Sequence, residues 1–369
     1  MKKNYLWTLL ILSIGTSCST EKAVPAKPEI SQHQLYSDAL AEVQERILAS
    51  RIDSVFSNSG FNGSVSVTKA EKVIYKRVAG FEDFRIKKAL SDKSVFAVGS
   101  VSKQFTAALI LALEEEGKLC TADLAGKYLK SFSRKPFDKI TIHQILNHTS
   151  GITDVGPGVI SKPGAEFHYS NRGYRVLGEI IEKASGKTYD DNFRELSRKA
   201  GMISSFTADH FEGEYLAGAY FGSPKRYKAV PNMPERLAQA TISVAAGGVL
   251  STSADLHKWN LALHEGRLFK TETLEKMRTK TSGTKHPILG EVGYGYGIMM
   301  SESPRAYFHS GYVKGSPSLL IYYPASQTSV VILSNIADMD KGKSFVFRPH
   351  KKIKEIMDGV ERNKLWNLN

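Results

Sequence analysis

Only two cysteines, Cys18 and Cys120, occur in the 369 residues of this chain. At most one disulfide is available, so a cross-linked framework is excluded and the fold must rest on a buried core. Metal signatures are missing as well: there is no His-Glu-x-x-His, and the histidines show no ligand spacing. No glycine-rich phosphate loop, zinc-finger spacing or RNA-binding signature occurs. Nucleic-acid recognition therefore has no basis in the sequence, and no cofactor is implied. Acidic residues are scarce relative to basic ones, 37 against 50, leaving a formal charge of +13. The basic residues are scattered, with small clusters at 225–228 and 351–354. They suit either a solvated surface or weak attraction to lipid head groups and cell-wall polymers.

Apolar runs of membrane-spanning length are also lacking. The run from Leu6 to Ile14 follows Met1-Lys2-Lys3 and is too short to cross a bilayer. Its length and basic flank are those of a secretory signal core. It ends at Gly15-Thr16-Ser17-Cys18, which resembles a bacterial lipoprotein signal, although Gly15 stands where leucine is usual. Two readings follow. Either lipid on Cys18 anchors the protein to the outside face of a membrane, or an ordinary secretory signal is cut nearby. Both export the chain, to the periplasm or the outer surface. Residues 1–18 are then the signal, 19–35 a tether containing Pro25 and Pro28, and 36–369 a single domain. Lipidation of Cys18 would leave Cys120 as the one thiol, expected to pack at a helix end.

What the chain does have is Ser-x-x-Lys, four times, at Ser19, Ser66, Ser100 and Ser282. The motif decides nothing alone. Around Ser66, Gly63-Ser-Val-Ser-Val-Thr-Lys69 alternates small polar residues with valine, which predicts a strand. On a strand Ser66 and Lys69 face opposite ways and cannot cooperate. Around Ser100 the surroundings differ. Residues 104–116 are apolar nearly all round and close on Gly117, which predicts a buried helix. Residues three apart share a helix face, so Ser100 Oγ and the Lys103 amine can meet. Burial lowers a lysine's pKa, and a neutral amine can take a serine proton. The alternative is a capping serine beside an exposed lysine.

Two constellations downstream add partners. Tyr169-Ser170-Asn171 is the one Tyr-x-Asn in the chain. A phenol can relay protons beside a lysine, and an asparagine amide can bind a substrate amide. His309-Ser310-Gly311 is expected to open a strand, where Gly311 lets a ligand approach the backbone. Taken in order, Ser-x-x-Lys, Tyr-x-Asn and His-x-Gly resemble the serine β-lactamase and penicillin-binding-protein superfamily, in its class C β-lactamase, D-peptidase and esterase branch. Further matching strings are 146–152, Pro163-Gly164, 246–252 and 293–297. The resemblance runs from about residue 55 to 337.

That resemblance implies an α+β fold: an antiparallel sheet flanked by helices as a sandwich, plus a mostly helical subdomain. Strands at about 61–79 and 291–334 would build one sheet, with helices at about 37–58 and 345–358 and a helical region at 110–245. It also implies roles. Ser100 would be acylated, Lys103 would accept its proton, and Tyr169 would assist. Asn171 would hold the substrate amide and the lysine. His309 would line the opposite wall, and the N–H groups of Ser100 and Tyr312 would form the oxyanion hole. One departure matters: penicillin-recognising members carry lysine where His309 stands, and no Lys-Thr-Gly occurs. A mostly neutral histidine attracts a carboxylate weakly, so β-lactamase activity should be poor. The expected function is a serine hydrolase acting on a small amide, peptide or ester, with cell-wall-derived substrates among the candidates. The alternative is a catalytically silent or slow relative that binds a cell-wall peptide or a protein partner.

Overall fold

The computed structural model describes residues 32–238 and 243–363. The expected signal, Cys18 and most of the expected tether lie outside the described residues. The helix Gln32–Ser59 begins within the last residues read as tether. No helix among the described residues is long and apolar enough to cross a membrane.

The centre of the molecule is an eight-stranded antiparallel sheet. Its order runs from Ser282–His286 through Gly290–Tyr294, Met299–Glu302, Arg305–Val313, Ser316–Tyr323 and Thr328–Ser334, then to Gly63–Lys69 and Lys72–Ala79. The two N-terminal strands thus add to the last C-terminal one, with Ser66 opposite Val331. Both chain ends are needed to complete it.

Both sheet faces are covered, which explains why its central strands are apolar without alternation. Leu319, Ile321, Val330 and Ile332 pack with Leu48 and Ile52 of the N-terminal helix and Ile353 and Met357 of the C-terminal helix Arg348–Arg362. Their neighbours Leu320, Val331 and Leu333 belong to the core on the other face, with Phe105 and Trp259. Period-two geometry sends alternate residues to opposite layers, so a strand between two helical layers must be apolar at every position.

The Ser102–Glu115 helix is buried along nearly its whole length, as its composition requires. The three glutamates at its end oppose the helix dipole, and Lys276 offsets this by pairing with Glu114 at 2.8 Å. Ser66 lies on its expected strand. Its Oγ is 2.5 Å from Ser253 Oγ and 2.6 Å from His257 Nε2, a buried polar contact between sheet and helix.

Three expectations are corrected. Cys120 is exposed rather than packed, because the chain has already turned out past Gly117. His309 lies in the middle of the strand Arg305–Val313 rather than at its start. The region read as helical also holds the hairpin Tyr220–Ser223 and Arg226–Ala229, which pairs with Ile336–Ala337. Within the region expected to be helical, a helix starts at Asn171, because Ser170 caps it, with its Oγ accepting from the Gly173 N–H.

Candidate active site

Ser100 sits in a 3-10 turn, Gly99–Val101, just ahead of the buried helix rather than in its first turn. The turn depends on Gly99, at φ +53°, because a Cβ there would stand 2.7 Å from the Tyr312 nitrogen. Ser100 therefore reaches the cleft, while Lys103 points into the interior and is fully buried. The Lys103 amine donates to Asn171 Oδ1 at 2.8 Å and to the Ala246 carbonyl at 2.7 Å. Ser100 Oγ lies 3.3 Å away in its third direction. Burial lowers the pKa of Lys103 to about 7. A neutral amine has two N–H bonds and one lone pair. Asn171 and Ala246 take the two donors, so the lone pair is left for the Ser100 hydroxyl.

Tyr169, Ser170 and Asn171 are placed by the helix they initiate. Tyr169 precedes the cap, and its hydroxyl lies within hydrogen-bonding reach of Ser100. The residue is 38 % exposed at the cleft, yet desolvation of its inner end raises its pKa far above the ordinary tyrosine value. At neutral pH it holds its proton. Its ring also lies 4.8 Å from the Lys103 amine.

His309 is wholly buried and, through desolvation, pushed down to about 3, so it is neutral. Its proton position follows from a chain of hydrogen bonds. The Ser170 N–H donates to His148 Nδ1 at 3.2 Å, which leaves His148 Nε2–H to donate to Tyr294 Oη at 3.2 Å. The Tyr294 hydroxyl then donates to His309 Nε2 at 3.0 Å, and His309 Nδ1–H donates to the Ser310 carbonyl at 2.7 Å. His309 therefore has no ring N–H to spare and carries no charge. It is a neutral wall.

The other walls come from the tip of the Ser282–Tyr294 hairpin and from the segment before the C-terminal helix, enclosing a cleft of about 390 Å³. Gly311 faces the turn that carries Ser100: a Cβ on it would stand 3.0 Å from the Ser100 nitrogen. The Gly99–Ser100 and Gly311–Tyr312 backbones are thus in direct contact. Arg172 does not line the cleft; its guanidinium donates to the carbonyls of Gly156 and Pro157. Lys314 and His168 do not line it either, and His168 pairs with Glu166 at 3.0 Å.

Three contributors were not anticipated. Tyr294, within the matching string 293–297, stands behind His309. The Ala246 carbonyl is backbone, which residue type cannot reveal. Asp154, in the loop after Ile152, accepts four hydrogen bonds from residues 170–172. No group of three or more His, Cys, Asp and Glu among the described residues could hold a metal ion.

A serine beside a buried amine of lowered pKa, between an antiparallel sheet and a helical region, is the arrangement of the serine β-lactamase-like acyl hydrolases. Residues 53–346 match the Beta-lactamase family model, and the chain belongs to that family. It is 27% identical to Penicillin-binding protein 4* of Bacillus subtilis over 324 residues, covering 74% of this chain and 68% of that protein. It is 26% identical to the teichoic acid D-alanine hydrolase of Staphylococcus aureus over 269 residues, covering 67% of this chain and 64% of the relative. Among solved structures, a class C beta-lactamase superposes with a TM-score of 0.70 at 20% identity, over 85% of this chain and 97% of that one. This last likeness concerns the fold.

Proposed function

We propose that the protein is an exported serine hydrolase that cleaves a small amide, peptide or ester through an acyl-enzyme formed on Ser100. The observation that carries this reading is the bonding of Lys103, whose two short donor contacts leave its lone pair for the serine proton. In the first step Ser100 Oγ bonds to the substrate carbonyl carbon, and the hydroxyl proton moves to the Lys103 amine. The carbonyl oxygen becomes an oxyanion facing the N–H groups of Ser100 and Tyr312. Collapse expels the leaving group, which takes a proton from Lys103 through the Tyr169 hydroxyl. Water then attacks the ester, with its proton returning along the same relay, and frees Ser100 and the acid. Asn171 fixes the lysine and offers its amide to the substrate.

The cleft supports the substrate class. Its lining includes Lys285 and Lys343 and no Asp or Glu, which favours a substrate with an anionic group. The teichoic acid D-alanine hydrolase among the relatives supports a cell-envelope ester or amide. The neutral His309 wall lacks the fixed charge that β-lactam carboxylates use, so nitrocefin turnover should stay well below that of a dedicated β-lactamase.

Intact-protein mass after treatment with a fluorophosphonate tests the reading. An adduct is expected on the wild type and none on Ser100→Ala. No adduct on the wild type with any acylating probe would favour a silent binding protein. The pH dependence follows from the site. Lys103 must be neutral to act, so kcat/KM should rise with pH through about 7 and then level off. Tyr169 imposes no downward limb near neutrality, because its pKa is raised. A bell-shaped profile falling again by pH 8 would contradict this assignment.

A further inference from the structure

Asp154 has no part in the chemistry described so far, yet it is bonded to Ser170, Asn171 and Arg172, the residues that follow Tyr169. Its Oδ2 accepts the Asn171 backbone N–H at 3.1 Å and the Asn171 side-chain Nδ2 at 3.0 Å. Its Oδ1 accepts the Arg172 N–H at 2.8 Å and the Ser170 hydroxyl at 3.1 Å. Two of these donors, the N–H groups of Asn171 and Arg172, start the helix Asn171–Ser185, where a carboxylate is electrostatically favoured. The loop carrying Asp154 is held in turn by Arg172, which bonds the carbonyls of Gly156 and Pro157 at 2.9 and 3.3 Å.

The two ends of an asparagine amide are nearly equal in shape, so only their partners fix which faces where. An ionised carboxylate accepts and never donates. Asp154 therefore compels the Asn171 NH2 to face it, and this turns Asn171 Oδ1 to the Lys103 amine. A flipped amide would set donor against donor at Lys103.

The geometry points to Asp154 as a positioning residue that orients Asn171 and, through that amide, sets the lysine's readiness to take a proton. The inference rests on the reading of Lys103 as the base. Tyr169, Tyr174, His148 and His309 surround the amine from the neighbouring elements. Both histidines are pushed down by burial and both tyrosines up, so all four are neutral. Asp154 is the charged group whose field reaches Lys103, and it raises the pKa against the larger effect of desolvation.

Asp154→Asn and Asp154→Glu test this, with Ser100 labelling by a fluorophosphonate followed against pH. For Asp154→Asn the acidic limb should move down by about one pH unit, and the plateau rate should fall because the Asn171 amide is no longer held one way. Asp154→Glu keeps the charge, so its limb should stay near the wild-type position while its rate is reduced. A purely structural role would lower rates and leave both limbs in place, and that result would overturn the inference. Titration of Lys103 by NMR, with 13C at its ε carbon, gives the same shift without any turnover. Absence of labelling in the wild type would defeat the hydrolase reading. An unmoved Lys103 titration in Asp154→Asn would defeat this one. Should Asp154→Asn fail to fold, Asp154→Ser removes the same charge: a limb moved down by about one unit supports the inference, and an unmoved limb overturns it.

Discussion

Replacing Lys103 by methionine should slow acylation of Ser100 by about 10²–10⁴-fold, the usual contribution of a positioned general base. The substitution keeps most of the side-chain volume in a site with no exposure, so the Ser102–Glu115 helix should retain its packing. What it removes is the amine that touches Ser100 at 3.3 Å. Neither His309 nor Tyr169 can take over. His309 is neutral but has spent its Nε2 lone pair on Tyr294, and Tyr169 keeps its proton because burial raises its pKa. The rate constant for fluorophosphonate labelling measures the effect, with circular dichroism as the check on folding. The upward limb near pH 7 should vanish together with the rate, since Lys103 is the group that titrates there. A variant that still labels within a few-fold of wild type would show that some other base serves Ser100.

Much of this site is legible in the residues because the decisive signals are local. The apolar run after Ser100 predicts a buried helix, and a lysine one turn along it can be desolvated, although the run alone left an exposed lysine beside a capping serine open. Ser66 and Lys69 separate from them by the period of a strand, and Ser66 duly lies against Ser253 and His257. Ser170 was the available signal for a helix starting at Asn171, since a serine in that place satisfies an orphan N–H. Its role was masked because residues 169–171 also read as a reactive constellation.

What stays hidden is whatever arises from chain segments meeting at a distance. Asp154 looks like one polar residue in a loop, and only the fold brings it to four donors at residues 170–172. The Ala246 carbonyl has no sequence signature. The neutral state of His309 depends on His148 and Tyr294, 161 and 15 positions away, forming one directional chain. The hairpin at 220–229 owes its place to pairing with Ile336–Ala337, far along the chain, so its own residues did not announce it. Local propensity fixes elements, whereas the site's electrostatics come from packing them.

Gly311→Ala should have the second large effect, and here the loss arises from space rather than charge. A Cβ at this position would lie 2.1 Å from the Val98 carbonyl oxygen and 2.4 Å from Ser318 Oγ. Those two atoms are themselves hydrogen-bonded at 2.7 Å, Ser318 donating, and that bond ties the sheet to the turn that carries Ser100. The methyl would have to enter this bond, so the strand Arg305–Val313 must retreat from Gly99–Val101. Retreat separates the Tyr312 N–H from that of Ser100, the pair proposed to hold the oxyanion. Losing one such donor lowers kcat by about 10²–10³-fold, and overpacking costs about 1–3 kcal/mol of stability. Gly359→Ala is the matched control. It lies in the helix Arg348–Arg362 with nothing within 4 Å of its Cβ position, and the change should leave acylation unaltered while adding about 0.4–1 kcal/mol of stability. Labelling rate and melting temperature, measured on both, separate the cases. If Gly311→Ala loses stability but labels at the wild-type rate, the oxyanion does not sit between Ser100 and Tyr312, and the polarising donors must be sought elsewhere in the cleft.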